Sequence, residues 1–212
     1  MTRRELATRR STWARALARH LACVGVQPNA VSVAGVAFAI CSCAAFLLAP
    51  STPRAQVALL LAAAAAIQLR LLCNLLDGML AIEHGLKSPT GDLYNDVPDR
   101  IEDVLILAGA GLSIDVLPFG ASLGAIAALA AMFTAYVRLL GTSLGAQPQF
   151  TGPMAKQHRM FVLTVATVLA AAEASAGASP RAIWVGLLVI SAGSIATAIR
   201  RLRRIAIDVA AP

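Results

Sequence analysis

Residues 74–99 carry side chains whose types and spacing could hold a metal ion beside a phosphate. Asn74, Asp77, Gly78 and Ala81 stand at i, i+3, i+4 and i+7, one face of a helix. Gly91 precedes a second helical stretch on which Asn95 and Asp99 lie one turn apart. Seven of the eleven acidic residues fall between Asp77 and Asp103, in a chain that is otherwise apolar. Acids near a membrane are costly, so this concentration marks a site rather than a solvated surface. Carboxylate and amide oxygens suit a hard divalent cation, Mg²⁺ or Mn²⁺, which can polarise a phosphoryl group. Gly78 and Ala81 leave the helix backbone open to a flat or bulky ligand. Two facing helix ends bearing these groups predict a metal-assisted site for a phosphorylated, lipid-associated substrate.

The elements that must position these groups are membrane helices. The chain has 212 residues, 58% hydrophobic and 14% charged, with a mean hydropathy of +0.73. A soluble domain carries about 25% charge. A helix needs about 20 apolar residues to cross the hydrocarbon core. Six candidate spans follow, at residues 31–49, 56–76, 95–117, 122–141, 160–176 and 182–199. Ahead of them, Leu6, Trp13, Leu17, Leu21 and Val24 recur at helical spacing among arginines, which predicts an amphipathic interfacial helix over 3–24 with Trp13 at the headgroup boundary. Gln27 and Pro28 break that helix, and Asn29 is the expected cap of the first span. The predicted fold is therefore all-α and membrane-integral. Residues 1–27 form the interfacial helix, 28–204 the six-helix domain and 205–212 a tail.

Charge orients the bundle. Arg3, Arg4, Arg9, Arg10, Arg15 and Arg19 precede the first span, and Arg200, Arg201, Arg203 and Arg204 follow the last. Lys87, Arg100, Lys156 and Arg159 lie at or near the second and fourth loops, whereas the odd loops offer only Arg54 and Arg181. Positive-inside counting places both termini in the cytoplasm, and six spans require them on the same side. Anionic lipid headgroups explain the net charge of +7 more simply than nucleic acid does, so no nucleic-acid partner is expected. Cys23, Cys41, Cys43 and Cys73 have no zinc spacing and suggest no disulfide scaffold. The basic N-terminal region is too long for a cleaved signal peptide. His84 and His158 are expected as exposed loop residues. Gly109–Gly111 and Gly120–Gly124 read as helix-packing positions. Asp115 and Glu173 lie toward the opposite face from the motif.

The central stretch resembles the signature of the CDP-alcohol phosphotransferases, Asp-x2-Asp-Gly-x2-Ala-Arg-x8-Gly-x3-Asp-x3-Asp. Here every interval is kept, from Asn74 through Asp77, Gly78, Ala81, Ile82 and Gly91 to Asn95 and Asp99. Six spans, the Pro28–Asn29 pair and a Gly152-x3-Lys156 loop extend the resemblance over most of the chain. It implies a bacterial inner-membrane or plasma-membrane enzyme, a homodimer in the lipid bilayer. Such an enzyme moves a phosphatidyl group from CDP-diacylglycerol, or another CDP-alcohol, to a small alcohol and releases CMP. It implies that Asp99 is the base and that Asp77, Asp99, Asn74, Asn95 and Asp96 surround the metal. Asn74, Gly78, Ala81 and Gly91 would then bind the nucleotide. Arg138, Lys156 and Arg159 would hold an anionic acceptor, and Arg138 within an apolar span is expected to face a polar cavity.

Three positions depart from the signature. Asn74 and Asn95 replace its first and third aspartates, leaving neutral oxygen ligands and two signature carboxylates. Ile82 replaces the arginine, and Arg70, one turn before Asn74 on the same face, is its expected substitute. These departures leave a catalytically silent, lipid- or nucleotide-binding homologue as the alternative. A small transporter fits less well, because the polar cluster lies at one boundary and occurs once.

Overall fold

A computed structural model describes residues 11–83, 85–86, 89–115, 117–150 and 152–210. The basic residues of 1–10, together with His84 and Lys87, lie outside the described residues. Among the described residues seven α-helices follow one another: α1 Thr12–Cys23, α2 Pro28–Leu48, α3 Gln56–Glu83, α4 Gly91–Leu112, α5 Gly120–Ser143, α6 Lys156–Ser175 and α7 Ala182–Ala210. A 3-10 turn, Pro53–Ala55, leads into α3. There is no strand among the described residues.

Local chemistry sets the ends. Pro28 occupies the first turn of α2, where its missing N–H costs nothing, and extended Gln27 rather than Asn29 is the capping residue. Gly145 ends α5 with φ near +83°, which lets Ala146 N–H return to the Gly141 carbonyl. Two boundaries differ from expectation. α4 stops at Leu112, and α7 continues to Ala210, so residues 205–210 of the expected tail are helical.

α2 to α7 form a closed ring. α2 packs on α3 and α4, α4 on α5, α5 on α7, α7 on α6, and α6 back on α3. Small residues bring these neighbours close, as membrane helices require. A Cβ on Gly111 would lie 2.6 Å from the Gly124 Cα, and one on Gly109 2.9 Å from the Cys43 Sγ. The glycines predicted as packing positions are used in that way. Phe46, Ile67, Ile106, Leu163, Leu187 and Ile190 fill the apolar core. Outside the ring, α1 buries Ala14 and Ala18 with Met79 and Leu80 of α3. All four cysteines are free, and Cys23 and Cys41 are exposed rather than buried.

Among the described residues four helical segments are long and apolar enough to cross a membrane: Pro28–Leu48, Pro53–Glu83, Gly120–Ser143 and Ala182–Ala210. Their outer faces expose side chains such as Leu61, Leu129 and Val189. α4 and α6 complete the ring but are charged at their starts. Those two helix starts are where the site lies.

Candidate active site

α3 carries Arg70, Asn74, Asp77 and Gly78 along one face, and α4 answers with Asn95, Asp99, Glu102 and Asp103. Between them opens a cavity of about 630 Å³, within the range of small-ligand sites. Asn74, Asp77, Gly78, Asn95, Asp99, Arg138, Lys156 and Arg159 all line it, so eight of the expected site residues converge. Gly78 is buried in this wall and presents no side chain.

Asp77 is buried, and its Oδ2 accepts a 2.7 Å hydrogen bond from Ser32 Oγ of α2. Lys156 Nζ, at the head of α6 before its apolar stretch, donates to both Asn74 Oδ1 and Asp99 Oδ1. Burial pulls this ammonium below its ordinary pKa, and Asp99 opposes the shift. The preceding loop aims Lys156. Gly152 adopts φ +150°, and Met154 N–H donates to Thr197 Oγ1 of α7 at 2.9 Å. Arg100 approaches the second Asp99 oxygen at 3.5 Å.

Beneath the cavity lies a sealed ion network. Arg70 is fully buried. Its Nε donates to Glu102, and its Nη2 lies 2.9 Å from Asp103 Oδ1. The other Asp103 oxygen accepts from Arg159 Nη2 at 2.9 Å, and Arg159 Nη1 donates to the Met154 carbonyl at 3.0 Å. Arg201 Nη1 donates to the Thr134 carbonyl at 2.7 Å. With the 3.3 Å bond from Arg159 Nη1 to Thr134 Oγ1, these bonds tie α3, α4, α5, α6 and α7 together.

Four of the expected site residues do not line the cavity. Arg70 does not line the cavity: its guanidinium is enclosed by Glu102 and Asp103, so it does not stand in for the signature arginine. Ile82, at the arginine position, is 54% exposed. Asp96 pairs with Arg138 at 2.9 Å and, like Ala81 and Gly91, is not among the lining residues. Ala81 is on the predicted face but one turn too far along α3. Trp13 lines the cavity rather than serving only the boundary. Of the remote acids, Glu173 Oε2 accepts the Ala182 N–H at 3.0 Å at the start of α7.

Sequence reasoning missed Ser32, Glu102 and Arg201. Arg201 follows the apolar run of the last span, and the extension of α7 carries it to the cavity.

The arrangement can hold one cation and a polyanion. The ammonium seated between Asn74 and Asp99 marks a point where oxygens converge on positive charge. Among the described residues no three His, Cys, Asp or Glu side chains gather into a metal centre, and the oxygen donors lining the cavity include two carboxylates, Asp77 and Asp99, and the amides of Asn74 and Asn95. That set fits one hard divalent ion better than two. Arg100, Arg138, Lys156, Arg159 and Arg201 give the walls five cationic side chains against Asp77 and Asp99.

The chain shares its fold with phosphatidylinositol phosphate synthase of Mycobacterium tuberculosis. The form with CDP-DAG bound matches at TM-score 0.75 and 21% identity, over 92% of this chain and 94% of the other. The complex with manganese and citrate matches at 0.72 and 21% identity, over 91% and 88%. The apo form matches at 0.70 and 21% identity, over 89% and 94%. No protein-family profile matches the chain, and no curated protein matches it by sequence.

Proposed function

We propose that the chain is a CDP-alcohol phosphatidyltransferase. It would move a phosphatidyl group from CDP-diacylglycerol to a small alcohol and release CMP. One observation carries this reading: Asn74, Asp77, Gly78, Asn95 and Asp99, which hold the signature's spacing, line one cavity, with Lys156 seated between Asn74 and Asp99. The shared fold with a synthase crystallised with CDP-DAG supports it.

In the proposed mechanism the acceptor hydroxyl oxygen attacks the phosphorus that bears diacylglycerol. The bond to CMP breaks, and Asp99 takes the hydroxyl proton. Gly78 admits the nucleotide against bare backbone, while Arg138, Lys156 and Arg159 hold an anionic acceptor in line. Ser32 fixes the Asp77 carboxylate. A bound Mg²⁺ or Mn²⁺, held by Asp77 and Asp99 with the amide oxygens of Asn74 and Asn95, would polarise the phosphoryl oxygens. The apolar runs and charge distribution support six membrane crossings and cytoplasmic termini, and the family resemblance supports a bacterial inner-membrane or plasma-membrane location. The homodimer rests on the family resemblance alone.

The test is CMP release by purified protein with CDP-diacylglycerol, Mg²⁺ or Mn²⁺, and a panel of free and phosphorylated alcohols. Asp99→Asn should lower turnover at least about 100-fold, the usual contribution of a general base. Unchanged turnover in that variant would remove Asp99 as the base. A second reading, a silent nucleotide-binding homologue, is favoured by one feature: Ile82 faces outward and Arg70 is enclosed, so neither supplies the signature's arginine. CDP-diacylglycerol binding without CMP release from any acceptor would select it.

A further inference from the structure

Glu102 lies outside the signature, three residues beyond Asp99 on α4, and is 1% exposed. Its Oε2 accepts from Arg70 Nε and, at 3.1 Å, from Asn74 Nδ2. The same amide nitrogen donates to the Arg70 carbonyl at 3.2 Å. An ionised carboxylate and a backbone carbonyl can only accept, whereas an ammonium can only donate. The Asn74 amide therefore has one chemically consistent orientation. Its nitrogen points to Glu102, and its Oδ1 points to Lys156 Nζ and the cavity. Glu102 has little room to withdraw, because its Oε1 presses on Gly35 of α2, where any Cβ would collide with it.

We propose that Glu102 is a positioning residue that aims the Asn74 carbonyl oxygen into the cavity, and that it makes asparagine the workable residue at position 74. An aspartate there would turn one oxygen toward Glu102 Oε2 and the Arg70 carbonyl with no proton to share with either. The negative charge that the signature carries at this position stands here one hydrogen bond behind it. The proposal rests on the cavity being a phosphotransferase site. Its structural part concerns the Asn74–Glu102 contact alone.

The experiment is a cycle of Asn74→Asp, Glu102→Gln and the double variant in the detergent-purified full chain. Three quantities are measured: the thermal midpoint without metal, the Mn²⁺ affinity by electron paramagnetic resonance, and kcat and KM for CMP release. The expected signature is a reversal of sign. Glu102→Gln harms the native background, but it improves Asn74→Asp by roughly tenfold in Mn²⁺ affinity and kcat and raises its midpoint. If Glu102→Gln shifts the midpoint equally in both backgrounds, the two residues are uncoupled and the proposal fails. If the midpoint reverses while Mn²⁺ affinity and kcat do not, Glu102 only packs and the positioning role fails. If Mn²⁺ affinity and midpoint both reverse but no variant releases CMP, the positioning role stands and the transferase reading falls.

Discussion

Asp103→Asn tests whether the sealed network under the cavity holds the ring together. Asp103 is 0% exposed, and each of its oxygens faces a buried guanidinium, Arg70 on one side and Arg159 on the other, both at 2.9 Å. Asparagine keeps the shape and removes the charge. Whichever way its amide turns, the NH₂ group meets one guanidinium donor to donor. The less costly turn gives the oxygen to Arg159, because Arg70 still holds Glu102. One charge-assisted bond is then lost, about 1.5–3 kcal/mol. A buried cation left short of its counter-charge brings the total to about 3–5 kcal/mol. At about 2–4 °C per kcal/mol for a chain of this size, the midpoint falls by roughly 6–20 °C. Thermal melting of the detergent-purified protein, followed by tryptophan fluorescence, reads this directly. Asp96→Asn is the control, because its pair with Arg138 is partly exposed on both sides and is worth under about 1 kcal/mol. A midpoint for Asp103→Asn as close to native as that of Asp96→Asn would refute the reasoning.

Ser32→Ala removes the Ser32 hydrogen bond to Asp77, and kcat/KM for CMP release should fall roughly tenfold, with the midpoint lowered by the loss of about 1–3 kcal/mol for an unsatisfied buried acceptor; turnover equal to native would show that Asp77 needs no such support. Lys156→Met removes the ammonium from between Asn74 and Asp99. The metal-free protein should then melt lower, while Mn²⁺ binds roughly fivefold tighter, the equivalent of about 1 kcal/mol for a partly exposed pair. Equal Mn²⁺ affinity in the two proteins would mean that lysine and metal do not share a position.

Much of this site is legible in the sequence because helical periodicity fixes which residues share a face. Asn74, Asp77 and Gly78, then Asn95 and Asp99, had to point together once each stretch was helical. The glycines of α4 and α5 announced close packing for a similar local reason. What periodicity does not carry is the partner of each group. Ser32 looks like Ser42 in the sequence of α2, yet Ser42 donates to the Ala63 carbonyl and Ser32 to a site carboxylate. Arg70 has the right face and the wrong depth. Nothing local says that Glu102 and Asp103 will enclose it. Ala81 shows the limit of the face argument in the other direction, since its angular position is correct and its height along α3 is not.

The same distinction explains why buried charge is retained where apolar packing would be more stable. α3 and α4 touch each other only weakly, each packing instead on α2 and on its other neighbour in the ring. The gap between them is spanned by Arg70 with Glu102 and Asp103, side chains long enough to bridge helices that do not meet. Apolar residues of similar volume often stabilise such a core, because they avoid the desolvation of buried ions. Here they would leave the Asn74 amide and the Arg159 guanidinium without the acids that hold them. Glu102 holds the Asn74 amide, and Asp103 holds Arg159 at the cavity wall. The charges below the site and the chemistry within it are therefore one construction. A variant that fills the network with hydrocarbon should gain stability as it loses the site.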